Sequence, residues 1–151
     1  MSGVALLDVN VLVALFDPDH VHHELAHDWF ADHRSAGWAT CPVTENGFLR
    51  VLSNPAYGRD ALRPDRLVER LRKFRTSGNH VFWTDSVSLS DGRLFNLALA
   101  PGFRQVTDVY LLGLARKMRG WLATFDRAIP VRAVIGATRS NLQIIGPSGE
   151  D

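Results

Sequence analysis

The sequence predicts an α/β fold, a three-layer sandwich in which a mostly parallel central sheet is flanked by helices. Short apolar segments alternate with amphipathic helical segments along the 151 residues, the order that gives a parallel sheet. The first apolar segment shows no polar alternation, which is typical of a strand buried on both faces. An apolar fraction of 46% and a charged fraction of 22% suit an ordinary globule. We expect a single domain over 1–147 and a loose tail over 148–151.

The first predicted strand leads to an acid. The run VALLDVNVLVALF, residues 4–16, begins as a buried strand and continues from residue 11 as a short buried helix or turn. Asp8 lies where the strand stops. A carboxylate in such a run is costly unless it is neutralised, hydrogen-bonded or matched by a cation, so Asp8 is the first candidate functional residue. The alternative is that Asp8 only caps the next helix.

Two helices and a strand follow. An apolar stripe at helical spacing predicts a helix over 22–33, and a short apolar run predicts a strand over 38–40. Pro42 begins a helix that we expect to end near residue 53. Glu45 precedes the apolar stripe of this helix by three, four and seven residues, so the spacing places it on the buried face with Phe48, Leu49 and Leu52.

The middle of the chain is basic. Pro64 begins a predicted helix over 64–76, and an aromatic and β-branched run predicts a strand over 80–84. The pattern then weakens, with a short helix predicted over 88–96. Basic residues crowd into two segments and would suit a phosphate-bearing partner, although a charged face is often only solvated. They are Arg59, Arg63, Arg66, Arg70, Arg72, Lys73 and Arg75, and then Arg116, Lys117 and Arg119.

The last part of the chain supplies two more acids. Thr107 is predicted to cap a helix over 108–118, and Asp108 lies in its first turn on the apolar face. A buried strand is predicted over 121–124, and Asp126 follows two residues later. A final strand is predicted over 142–145.

Four acids are expected to meet at one edge of this sheet. In parallel sheets the carboxyl ends of the strands and the first turns of the following helices share one edge, where ligands bind. Asp8 and Asp126 follow strands, while Glu45 and Asp108 begin helices. Such a cluster would repel itself unless cations hold it, and oxygen ligands suit Mg²⁺ or Mn²⁺ rather than zinc. The chemistry implied is metal-assisted phosphodiester hydrolysis.

The motifs around these acids carry a resemblance that covers residues 6–145. LLDVNVLVAL, PVTENGFLRVL, TDVYLLGLA and LATFDRAI resemble the signature of PIN-domain nucleases, and ALFDPDHVHH with its following helix resembles the VapC toxins of VapBC toxin–antitoxin pairs. The resemblance implies a PIN-like fold and an endoribonuclease, dependent on Mg²⁺ or Mn²⁺, that inhibits translation and growth. It also implies a homodimer and a cognate VapB-type antitoxin that holds the enzyme inactive.

The resemblance also assigns roles to residues. Asp8 and Asp108 match the principal metal ligands, Glu45 and Asp126 complete the acidic catalytic site, and Asn10 and Thr107 match supporting polar positions. Two other functions stay open. A phosphatase of the haloacid dehalogenase type also opens with an acid after a strand, but it needs a second Asp where this chain has Asn10. A catalytically silent regulatory or nucleic-acid-binding module of the same fold is the non-enzymatic alternative.

Several remaining residues have simpler interpretations. His20, His22, His23 and His27 could suggest zinc, but no further ligand completes a tetrahedral set, so a solvated helix start is favoured. The four Trp residues fall at core-like positions. Cys41 is the single cysteine, which agrees with a reducing compartment and is expected to be buried. With no apolar run long enough to span a bilayer and no leader pattern, we expect a cytoplasmic protein.

Overall fold

The computed structural model describes residues 3–58 and 61–146, and its strands form one five-stranded sheet. The strands are β1 (Ala5–Leu7), β2 (Trp38–Thr40), β3 (His80–Phe82), β4 (Trp121–Thr124) and β5 (Leu142–Ile144). All four strand pairs are parallel, in the order β3-β2-β1-β4-β5, so β1 lies at the centre. The predicted α/β sandwich with a parallel sheet is confirmed. Arg59 and the tail predicted over 148–151 lie outside the described residues.

Five α-helices surround the sheet in the described part of the chain. They are α1 (Val9–Phe16), α2 (His23–His33), α3 (Pro42–Ser53), α4 (Pro64–Phe74) and α5 (Val106–Lys117). Short 3-10 helices connect some of them, at Arg34–Ala36, Leu97–Leu99, Phe103–Gln105, Val131–Ala133 and Arg139–Asn141. None of the helices in these ranges is long and apolar enough to cross a membrane.

The sheet separates two hydrophobic cores. Successive residues of a strand point to opposite faces, so Leu7 packs with α1 to α4 on one side, while Leu6 and Leu122 pack with α5 on the other. All three side chains are fully buried, which stabilises the fold by about 1.5–3 kcal/mol each. The four Trp residues and Cys41 are buried as predicted. Both faces of the sheet are therefore covered, and ligands have access only at its edges.

Two predicted features near α5 are wrong. The segment 88–96 contains turns and no helix, because Phe95 packs onto α5 and forms an isolated antiparallel bridge with Val134. Gly113 makes this contact possible, since a Cβ there would lie 2.2 Å from Cζ of Phe95. Thr107 does not cap α5. The helix already begins at Val106, two residues before the predicted start, because the 3-10 helix Phe103–Gln105 runs directly into it.

Two histidines of α2, His23 and His27, hydrogen-bond to backbone carbonyls of α1. The His23 ring nitrogen Nδ1 lies 2.7 Å from the carbonyl oxygen of Ala14, and Nε2 of His27 lies 2.8 Å from that of Leu15. Both carbonyls belong to the last turn of α1, where backbone acceptors lack helical partners. These two rings therefore satisfy backbone acceptors at the end of α1, while His27 is exposed, in agreement with a solvated helix start, and His23 is partly buried.

Candidate active site

A cavity of about 810 Å³ opens at the carboxyl edge of the sheet. Its walls come from the residues that follow β1 and β4 and from the first turns of α3 and α5. It is lined by five of the six predicted site residues, namely Asp8, Asn10, Thr107, Asp108 and Asp126. The sixth, Glu45, is not among the lining residues. The parallel topology thus brings together residues that are more than a hundred positions apart in the sequence.

Asp8 both caps a helix and lines the cavity. It is the N-cap of α1, and its Oδ1 accepts a 2.7 Å hydrogen bond from the backbone N–H of Val9. Its Oδ2 accepts one of 2.7 Å from the hydroxyl of Thr124. Burial raises the pKa of this carboxyl, the two hydrogen bonds oppose the shift, and the charge of Asp126 adds to it. The helix cap and the functional site are therefore the same carboxylate.

Asp108 interacts with both Asp8 and Asp126. Burial raises the pKa of Asp108 to about 7, helped by the charge of Asp8 and by a hydrogen bond and charge from Asp126. Asp126 is held by its own backbone, since its Oδ1 accepts a 2.8 Å hydrogen bond from the N–H of Ala128. Without a cation, Asp108 therefore keeps its proton at a higher pH than an ordinary carboxyl does.

Asn10 contributes an acceptor without a donor. The residue lines the cavity, and its Oδ1 is buried with no hydrogen-bond partner in the described part of the chain. A buried polar atom in that state is costly unless a donor or a cation reaches it. Within residues 3–58 and 61–146, no three His, Cys, Asp or Glu side chains form a ready-made metal group. An ion bound here would need the amide oxygen and water to complete its ligands, as Mg²⁺ tolerates.

Glu45 lies on a different side of α3. Its Oε2 accepts a 2.6 Å hydrogen bond from the hydroxyl of Thr40 and lies 3.5 Å from Nη1 of Arg75. The Thr40 hydroxyl is also 2.8 Å from Nε2 of His80, whose pKa is lowered to about 4 by burial and by the charge of Arg75. The structure thus brings three of the four acids together, and the assignment of Glu45 to the metal site stays a prediction.

Other polar residues of the cavity did not stand out in the sequence. Asn46 and Arg50 line it from α3, and the spacing of four from Pro42 to Asn46 to Arg50 was the signal for this shared face. His20 and Tyr57 line it from two loops, and Asp85 accepts a hydrogen bond from the hydroxyl of Tyr110 at the rim.

Comparison with known proteins agrees with this geometry. The family model of the PIN domain matches residues 5–134, a range that contains all six predicted site residues. The chain is 42% identical to Ribonuclease VapC44 of Mycobacterium tuberculosis over 138 residues, 91% of this chain and 96% of that protein. It is 41% identical to Ribonuclease VapC39 of the same species over 132 residues, 87% and 95% of the two chains. Ribonuclease VapC38 of that species is 44% identical over 126 residues, 83% of this chain and 87% of the relative.

Proposed function

The chain belongs to the PIN-domain family and is an RNA-cleaving hydrolase of the VapC type, and from this premise we propose how and in what setting it acts. It is the toxin of a type II toxin–antitoxin pair, an endoribonuclease that uses Mg²⁺ or Mn²⁺ and inhibits translation and growth. Residues 1–147 form its single nuclease domain. The observation that carries this proposal is the convergence of Asp8, Asp108 and Asp126 on one open cavity.

The donors in this cavity fit a hard divalent cation. Three carboxylates and the unpartnered oxygen of Asn10 are all oxygen ligands, which favour Mg²⁺ or Mn²⁺. Asp8 and Asp108 would be the principal ligands, with Asp126 completing the acidic site and Glu45 assigned to it by resemblance. A cation held there would offset negative charge on the phosphate and lower the pKa of an attacking water.

The remaining groups hold these ligands in place. The Thr124 hydroxyl fixes one oxygen of Asp8, and the Val9 N–H fixes the other, so the carboxylate cannot rotate freely. Asp126 lines the same cavity, where its carboxylate would accept a proton as the water attacks. Thr107 is exposed in the first turn of α5 and lines the cavity, where its hydroxyl can donate to a phosphate oxygen.

Two protein partners belong to the proposal. A VapB-type antitoxin would bind this chain and block the cavity. A second copy of the chain would form a homodimer. Four apolar side chains just before α5 and at its first residue are exposed. The most exposed is Phe103, at 82%, so this segment offers apolar surface to a partner. The others are Leu97, Leu99 and Val106.

The activity is tested by incubating the purified protein with a defined single-stranded RNA. We expect internal cleavage in Mn²⁺ or Mg²⁺ and none in chelator. Asp108→Asn, carried through the same steps, controls for a contaminating ribonuclease. A wild-type protein that leaves the RNA intact in both metals contradicts the proposed function.

A further inference from the structure

One wall of the cavity carries side chains that the proposed hydrolysis does not use. Arg50 lies on α3, exposed and on the cavity wall. Among the lining residues that the structure describes, it is the only Arg or Lys, and it forms no ion pair or hydrogen bond there. A cavity lined by four carboxylates repels a polyanion, so an unpaired guanidinium at this position is suited to bind phosphate.

Two aromatic rings lie on the same cavity, and one acid anchors both. Tyr57 belongs to the loop between α3 and α4, and its hydroxyl donates a 2.6 Å hydrogen bond to Oδ2 of Asp17. His20 belongs to the turn between α1 and α2, and its backbone N–H donates a 3.1 Å hydrogen bond to the carbonyl of Asp17. Asp17 therefore contacts both of the loops that carry these rings.

The far side of the His20 ring is already packed. It stacks on Phe125, with ring centroids 6.4 Å apart and planes at 24°, and lies 5.8 Å from the ring of His22. Tyr57 is 41% exposed and, within the described residues, stacks on no other ring. The His20 ring is thus packed against Phe125, the Tyr57 ring is free to stack, and the two rings have no stacking contact with each other.

These features fit an unpaired nucleotide. Every nucleobase has an apolar face that stacks on aromatic side chains, but only a base that is free of a duplex can present it to a cavity. Arg binds phosphate with paired donors, and the apolar side chains of Val13, Val43 and Val51 line the same cavity.

We propose that Arg50, Tyr57 and His20 form a nucleotide subsite for single-stranded RNA, in which Arg50 binds a phosphate next to the scissile one and the rings bind the neighbouring base. The subsite rests on the proposed function, because it supplies the substrate to the same cavity. It makes the enzyme select unpaired segments of RNA over duplex.

The test measures binding and cleavage separately. Fluorescence anisotropy measures the binding of a short fluorescein-labelled RNA, both as a single strand and in a duplex. Ca²⁺ replaces Mn²⁺ so that binding is measured apart from cleavage. Tyr57→Leu removes the ring, and Tyr57→Phe keeps it while removing the bond to Asp17. Arg50→Gln removes the cavity cation, and Arg34→Gln, at the opposite edge of the sheet, is its matched control.

We expect Tyr57→Leu to weaken single-strand binding about tenfold and leave duplex binding unchanged, with Tyr57→Phe within about twofold of wild type. Arg50→Gln weakens binding of both RNAs and lowers the salt slope by about 1, whereas Arg34→Gln changes neither. His20→Leu repeats the effect of Tyr57→Leu. In Mn²⁺, Tyr57→Leu raises KM about tenfold with kcat nearly unchanged.

The binding measurement separates this proposal from the proposed function. If wild type binds RNA but does not cut it, the proposed function is contradicted. The binding affinities of the variants still test the proposed subsite. If Tyr57→Leu and Arg50→Gln both bind single-stranded RNA as tightly as wild type, the proposed subsite is contradicted, even if cleavage is normal. Equal losses for single strand and duplex in Tyr57→Leu overturn the base-stacking role. A wild type that binds neither RNA overturns the whole subsite.

Discussion

The hydroxyl of Thr124 donates a 2.7 Å hydrogen bond to Oδ2 of Asp8 and accepts a 3.0 Å bond from the backbone N–H of Asp126. A single fully buried hydroxyl at the end of β4 therefore fixes two of the four acids that line the cavity. The geometry of the acidic site depends on a residue that carries no charge.

Thr124→Val removes this hydroxyl without changing the shape of the side chain. The loss leaves a buried carboxylate oxygen without its donor, so we expect the free energy of unfolding to fall by about 1–3 kcal/mol. The pKa of Asp8 rises further, and the acid limb of the cleavage pH profile moves to higher pH. Denaturant unfolding and pH profiles measure the two effects. Thr124→Ser keeps the hydroxyl and should resemble wild type; a Val variant that equals wild type in both assays contradicts this role.

Removing a charge from the acidic site should stop cleavage and leave the fold intact. Asp8→Asn or Asp108→Asn is expected to lower the rate by more than about a hundredfold, beyond what a supporting residue of a metal site costs. Circular dichroism should remain that of wild type. Asp32→Asn removes an exposed charge on α2 and serves as the matched control. Full cleavage by either site variant would refute the proposed site.

Glu45 offers a separate test, because its carboxylate contacts Thr40 and Arg75 rather than the cavity. We expect Glu45→Gln to weaken cleavage less than Asp8→Asn does. The amide keeps an acceptor for Thr40 and loses a partly exposed ion pair, which is worth about 1 kcal/mol or less. Cleavage rates and melting temperatures of both variants test whether Glu45 belongs to the metal site. A loss as complete as that of Asp8→Asn would place Glu45 among the metal ligands, and an unchanged rate would remove it from the site.

The stability of the metal-free protein should depend on pH through Asp108. Its folded pKa of about 7 lies above the ordinary value of 3.8, so the native state binds more protons than the unfolded state between those values. The stability from this group is present below about pH 4 and falls as pH rises to about 7. Melting temperatures in chelator across this range measure the decline. A flat profile would show that the acids are solvated separately.

Metal should reverse this penalty in wild type. A cation that binds only the folded state adds about 2.7 kcal/mol at a hundredfold excess over Kd. Asp108→Asn removes one charge and one ligand, so the variant should melt higher than wild type in chelator and respond much less to Mn²⁺. Melting curves of both proteins, in chelator and in millimolar Mn²⁺, provide the comparison. A wild type indifferent to Mn²⁺ with a variant that melts lower in chelator contradicts the shared site.

The antitoxin can be tested by co-expression. A small protein encoded beside this chain should co-purify with it, suppress RNA cleavage and restore growth, because it covers the acidic cavity. Growth curves and the composition of the purified complex measure this. If co-expression neither rescues growth nor gives a complex, the toxin assignment fails, whereas the ribonuclease assignment does not depend on it.

The sequence predicted the strands and the positions of Asp8, Asp108 and Asp126 because a parallel sheet brings its carboxyl ends to one edge. It could not predict which face of α3 meets the cavity, since Glu45 and Asn46 differ by only one step of the helix and the face depends on how α3 packs. The missing helix over 88–96 has a similar cause. The contact of Phe95 with Gly113 is made between distant parts of the chain and leaves no local pattern.

The central position of β1 has a consequence for the order in which the chain becomes active during synthesis. Asp8 leaves the ribosome well before Thr124, whose hydroxyl fixes its carboxylate and lies 116 positions later in the chain. The same strand also takes its neighbour β4 from that late segment, through pairs such as Leu7 with Ala123. Contacts of such long sequence separation form late. A nascent or truncated chain that ends before β4 therefore lacks the acidic site, so the product can cut RNA only after β4 has been synthesised.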